Sequence, residues 1–171
     1  MADIPNTANP QAEITKFEEM INQAVTQNVD VLAPSDFKES RELLKEAKSD
    51  LASGQKQEEI LNDVRKGRGF LSRAQATAEP RKALAPGIFE SRQMAFQAGA
   101  MEKPELKSTF QELDSDLSDK ADSLPKMSAY DLSQFQKKYV DLERRAVVLT
   151  QLGGSQAMLN GAKKDDATDK A

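Results

Sequence analysis

The residues best placed to do chemistry lie in Arg65-Lys66-Gly67-Arg68-Gly69, where glycines interleave with cations. Such a run could cradle a phosphate group through its backbone N–H groups. A phosphate loop, however, needs Gly-x-x-x-x-Gly-Lys-Ser/Thr after a strand, and neither that spacing nor a strand pattern is present. The plainer reading makes Gly67 a point where a neighbouring helix comes close, with the basic side chains pointing outward. Glycine inside a helix costs about 1 kcal/mol relative to Ala, so close packing or a kink should offset it.

The cations continue down the chain, and Arg65, Lys66, Arg68, Arg73, Arg81 and Lys82 together form a candidate partner face suited to an anionic polymer or lipid head group. An acidic run follows at Glu112, Asp114, Asp116, Asp119 and Asp122. The bland alternative is two solvated helix faces, since exposed ion pairs contribute only about 0–1 kcal/mol.

Other chemistry is harder to build. The chain has no Cys and no His, which removes disulfides, thiolate nucleophiles, the usual zinc sites and every His-based triad or proton shuttle. Without His, the Glu-x-x-His signature of di-metal bundles is also impossible. A paired-carboxylate hydrolase needs two carboxyls with separated pKa values across a cleft; here Asp and Glu fall mostly on polar helix faces. No catalytic, cofactor-binding or metal-binding residue is assigned, and the expectation is a protein that is not an enzyme.

The elements that must position these residues read as helices. At 171 residues the chain is long enough for one domain with a real core; charged residues make up 30% and aromatic residues 5% of it. Aliphatic side chains supply most of the apolar content, which suits helix seams better than a β-sandwich. The net charge of −4 offers no positive field for nucleic acid. The densest apolar patch, Ala146-Val147-Val148-Leu149, is far too short for a membrane span. The opening Met1-Ala2-Asp3-Ile4-Pro5-Asn6 has neither the basic start nor the apolar core of a signal peptide.

About six helices are expected, in a mostly antiparallel bundle or short helical-repeat stack. Residues 1–8 read as a disordered N-terminus, 9–160 as one helical domain and 161–171 as a disordered tail. Asn9-Pro10 opens the first helix as N-cap and first helical residue, and Ile14, Phe17, Ile21, Ala24 and Val25 form its stripe. After a connection at 29–34, Ser35 should cap the second, with Phe37, Leu44, Ala47 and Leu51 buried and Gly54 ending it. The third starts near Lys56, buries Ile60, Val64, Gly67, Leu71, Ala74 and Ala78, and should stop before Pro80. Pro86-Gly87 opens a shorter fourth carrying Phe89 and Phe96, with Gly99 as its stop. The fifth runs from Pro104 to Pro125 along Leu106, Phe110, Leu113, Leu117, Ala121 and Leu124. Ser128 with Asp131 caps the sixth, which follows Leu132, Phe135, Tyr139, Leu142, Ala146 and Leu149 until Gly153-Gly154 closes it. Tyr130 and Tyr139 should bury their rings.

Leu32-Ala33-Pro34-Ser35-Asp36-Phe37 returns as Leu84-Ala85-Pro86-Gly87-Ile88-Phe89, and Glu39-Ser40-Arg41 is echoed one residue out of step by Glu90-Ser91-Arg92. This is the pattern of a degenerate repeat, near 32–78 and 84–124, in which a Pro launches each helix and a Phe is buried in its first turn. Helical repeats favour structural or binding roles over reactive clefts.

The Leu-Ala-Pro-x-x-Phe-x-x-Ser pattern at 32–40 and the stretch from Ala83 to Ala100 resemble the helical N-terminal regions of outer-membrane-protein-A (OmpA)-type envelope lipoproteins of Gram-negative bacteria. The resemblance covers roughly residues 30–125. It implies a periplasmic, outer-membrane-associated location and a role as spacer or protein-binding stalk ahead of a peptidoglycan-binding domain. It carries over no functional residue. The lipidation Cys, signal peptide and peptidoglycan-binding domain of that group are not in this sequence, so the resemblance implies an excised fragment, attached to a membrane only through an anchor this chain lacks.

The functional expectation is therefore a non-catalytic structural or protein-binding module, with a protein partner, a homo-oligomer as an option, no nucleic acid and no cofactor. Two alternatives compete with it. One is a cytosolic or secreted adaptor or effector with a single protein partner. The other is a bundle binding an apolar small ligand in a cavity lined by Phe89, Phe96 and Phe110.

Overall fold

The computed structural model describes the backbone of residues 4–168 and the side chains of residues 4–154. The fold is all-α, and no β-strand occurs among the described residues. In chain order the helices are α1 (Pro10–Thr26), α2 (Val29–Leu32), α3 (Pro34–Ala52), α4 (Gln57–Leu84), α5 (Pro86–Gln97), α6 (Pro104–Asp119) and α7 (Ala129–Thr168), with 3-10 turns at Ala100–Glu102 and Ala121–Lys126. None of the described helices is long and apolar enough to cross a membrane.

Periodicity located the core. Ile14, Phe17, Ile21 and Ala24 of α1, the full α4 seam from Ile60 to Ala78, the Leu106-to-Leu124 seam, and Phe135, Tyr139, Leu142 and Ala146 of α7 are all buried. Side chains three and four apart share one helix face, so each stripe is hidden as a unit. Leu51, expected to be buried, is only half-buried, and Tyr130 departs further from the expectation and is exposed. It sits in the first turn of α7, off the Leu132–Phe135–Tyr139 line, where nothing covers its ring.

Several helix ends also differ from expectation. Asn9 caps α1 through its side-chain oxygen, which accepts from Ala12 N–H at 3.0 Å, and Gly54 and Gly99 adopt positive φ as helix stops. The segment 29–34, expected as a connection, instead makes the single turn α2, entered through Asn28 at φ 63°. Ser35 is not a cap. α3 begins one residue earlier at Pro34, whose fixed φ suits the first helical position and whose missing N–H costs nothing there. α4 continues through Pro80 to Leu84. Proline inside a helix costs about 3 kcal/mol, and the turn beyond it is held by Arg81, bonded to the Leu32 carbonyl and paired with Asp122. The expected fifth helix gives way to the 3-10 turn at Ala121–Lys126, where Leu124 is still buried.

Gly153-Gly154 does not close the last helix, because α7 runs through both to Thr168. Neither glycine has the positive φ that a C-terminal stop requires; each weakens the helix by about 1 kcal/mol without breaking it. The expected disordered tail is thus helical backbone over 161–168, and 169–171 lie outside the described residues. At the other end, the backbone of residues 4–8 is tied to α4, and 1–3 lie outside the described residues. Ile4 is buried, and Arg65 donates to its carbonyl from Nε at 2.9 Å and Nη2 at 2.7 Å. Gln57 donates to the carbonyls of Asn6 and Ala8 at 2.7 and 3.0 Å.

In place of the single domain expected over 9–160, the chain forms two compact units. One comprises Met1–Pro86 with Asp114–Met127, the other Gly87–Leu113 with Ser128–Ala171. The first unit is built on α3 and α4, its most extensive helix pair, with α1 packed on both. Gly67 makes this possible. A Cβ there would lie 2.5 Å from Phe17 Cζ and 3.2 Å from Leu43 Cβ, and the Ser40 hydroxyl donates to the Gly67 carbonyl at 2.9 Å. The second unit centres on an aromatic cluster. Phe110 lies 6.3 Å from Phe96 and 5.9 Å, edge to face, from Tyr139. The two Leu-Ala-Pro segments enter their helices through the same backbone geometry: Ala33 has φ −142° and ψ 60°, Ala85 −145° and 56°.

Candidate functional site: a groove on the first unit

The six cations expected to form one face are dispersed along α4, and four of them are used inside the fold. Arg65 clasps Ile4 and Asn6. Arg68, only 12% exposed, donates to the backbone carbonyl of Glu13 at 3.0 Å and to its carboxylate at 2.9 Å. Arg73 donates to Asp36 at 3.1 Å and lies 4.4 Å over the Phe70 ring. Arg81 joins Leu32 to Asp122. Lys66 is exposed and Lys82 half-buried, too little to make a continuous basic surface. The arginines therefore do not point outward beside Gly67, although its role as a close-approach point stands. The acidic run is divided in the same way: Asp116 pairs with Lys120 and Asp122 with Arg81.

Two carboxyls in this unit have displaced titrations, and each has a structural cause. The hydrogen-bonded Lys16 ammonium, followed by the Arg68 guanidinium, holds the Glu13 carboxyl below the usual range against the opposing effect of burial. Burial pushes the Asp63 carboxyl up, with Lys66 opposing it. Among the described residues, no three acidic groups converge as metal ligands would.

Glu13 has a consequence for stability. A carboxyl that titrates lower in the folded protein stabilises it fully above the ordinary value of 4.5, and this contribution is lost as pH falls through the folded value. Glu13→Gln should therefore lower stability at neutral pH and flatten the decline below pH 4.5. Urea unfolding across pH checks this, and parallel acid limbs in the two proteins would remove Glu13 as the cause.

A groove of about 860 Å³ lies between α1 and α3, with Asp30 of α2 also in its lining. Ile21, Val25, Pro34, Phe37 and Leu44 are its apolar lining, of which Ile21, Phe37 and Leu44 are almost wholly buried. Helix α1 contributes Glu18 and Asn22 to one wall. Helix α3 contributes Lys38, Arg41, Lys45 and Lys48 to the other, with Glu42 beside them. Spacings of three, four and three put these four cations on one side of α3, one residue on from the buried line of Phe37, Ser40, Leu44 and Ala47. Lys48 reaches Glu18 at 2.6 Å, whereas Lys45 is 81% exposed and only 3.9 Å from Glu42. Among the described residues, Lys38 and Arg41 form no ion pair.

Sequence reasoning missed this row because a lysine-rich helix flank looks the same whether solvent or a groove lies beside it. The 3-4-3 spacing was the available signal. In the second unit, Phe89 is buried and Phe96 is 43% exposed. Phe96 and Phe110 pack ring against ring, and the buried Arg92 guanidinium lies 5.7 Å over Phe110.

Comparison of the chain with protein families, with characterised proteins and with solved structures found no match.

Proposed function

We propose that the chain is a non-catalytic helical module that binds a protein partner in the bacterial envelope, as a periplasmic spacer or stalk, with the α1–α3 groove as its binding site. One observation carries the binding reading: a concave surface with apolar side chains in its lining is bordered by Lys38 and Arg41, two exposed cations that form no ion pair among the described residues. Binding sites of this kind combine apolar area with a few polar groups that fix orientation. The chain offers no Cys or His, and its displaced carboxyls, Glu13 and Asp63, are each explained by packing within the unit. The paired Leu-Ala-Pro segments support the envelope placement through their resemblance to outer-membrane lipoproteins.

The reading is tested in cells by a photo-crosslinker at Lys45→p-benzoylphenylalanine, on the groove wall, with the same substitution at exposed Tyr130 as control. The expected result is a discrete adduct with one envelope protein from position 45 and none from position 130. Recovery of the protein in the cytoplasm, or no adduct from the groove, would overturn it.

A further inference from the structure

We infer that the groove between α1 and α3 receives an acidic amphipathic helix of the partner protein. This rests on the groove being a protein-binding site and adds what the site selects.

The form of the occupant follows from the elements around it. A strand needs an open sheet edge to pair with, and the described residues contain no strand. An extended proline-rich segment needs an aromatic-lined trough, and Phe37 is the only ring in this one. A helix needs two parallel ridges with apolar side chains between them, and α1 and α3 supply these. The α3 wall runs from Pro34 to Lys48, ~21 Å at the rise of an α-helix, which matches about four turns of a docked helix.

The charge of the occupant follows from which cations the fold has spent. Arg65, Arg68, Arg73 and Arg81 are bonded to backbone carbonyls or carboxylates within the unit. On the groove wall, Lys48 is matched by Glu18 and Lys45 only loosely by Glu42. Lys38 and Arg41, three residues apart, line the groove and form no ion pair among the described residues. A docked helix with Glu or Asp at i and i+3 or i+4 on one flank would supply the missing partners, and its apolar face would lie over Val25 and Pro34, the apolar lining residues that keep exposed surface. A basic helix would meet like charge from Lys38 and Arg41.

The test uses the full chain and fluorescein-labelled synthetic helices of about 15 residues. One carries Leu on one face and Glu on its flanks, and the other replaces each Glu by Lys. In fluorescence anisotropy the Glu peptide should bind at least about tenfold more tightly than the Lys peptide, an advantage that shrinks at high salt. Lys38→Glu with Arg41→Glu should weaken the Glu peptide about tenfold and favour the Lys peptide. Lys137→Glu, an exposed charge on α7, should change neither. Both groove residues are exposed, and circular dichroism verifies that the variants fold.

Equal binding of the two peptides, or indifference to charge reversal at Lys38 and Arg41, would overturn the assignment. So would either alternative occupant: phosphatidylglycerol vesicles binding in an Arg41-dependent way while the Glu peptide does not, or self-association abolished by the same reversal. Failure of the Glu peptide while the crosslink from position 45 persists removes the acidic-helix assignment alone. Loss of the crosslink removes the binding site itself.

Discussion

Phe110→Ala is expected to destabilise the second unit by about 3–5 kcal/mol. Phe110 is buried against Phe96 and Tyr139, with the Arg92 guanidinium over its ring. Truncation removes the transfer energy of a phenyl group, leaves a cavity, and deletes two aromatic pairs worth about 0.5–1.5 kcal/mol each. It also takes the ring face away from a buried cation. Tyr139, the buried one of the chain's two tyrosines, reports the change directly. Its near-ultraviolet dichroism should weaken, and amide exchange in α5 and α7 should accelerate. Phe110→Leu, which keeps most of the volume, should fall well short of the Ala variant. A loss below about 1 kcal/mol for Phe110→Ala would mean that this ring cluster is not the unit's packing centre.

In the first unit the corresponding experiment adds atoms. Gly67→Ala should destabilise by about 1–3 kcal/mol even though Ala is the better helix former by about 1 kcal/mol. The added Cβ would lie 2.6 Å from Phe17 Cε1 and 3.2 Å from Leu43 Cβ, too close for a ring held in the core to accommodate without shifting. Moving α4 away would also strain the buried bond from Ser40 to the Gly67 carbonyl. Gly67→Val should cost more, because it adds branching at the same contact. Phe17→Leu makes room, so the double variant with Gly67→Ala should be more stable than the sum of the single effects. Urea denaturation of the four proteins measures the coupling. A Gly67→Ala protein more stable than the parent would show that the glycine is not required for close approach.

The glycines show how far local sequence can be read. Gly54 and Gly99 were legible as stops because each follows the last residue of an apolar stripe and only glycine enters positive φ cheaply. Gly153-Gly154 gave the same signal and is helical. A glycine permits an end, whereas the neighbouring chain decides whether one forms. Pro80 is the converse case, a strong local breaker inside α4 beside buried Ala78, with Arg81 anchoring the turn beyond it.

The candidate site was less legible than the fold. The cations that look densest in sequence, Arg65 to Lys82, are largely consumed by tethers, one of them linking positions 61 residues apart. The quieter row of Lys38, Arg41, Lys45 and Lys48 lies beside a groove. Charge density in a sequence gives no information about which charges find partners once the chain packs.

By itself, the sequence determined the helical class, the buried stripes and the close approach at Gly67, because these depend on a 3.6-residue period and on the size of one side chain. Tertiary structure decided the division into two units, the persistence of helix through Pro80, and which cations stay available. Those outcomes depend on contacts between segments distant in the chain, whose energies of a few kcal/mol outweigh local preferences of about one.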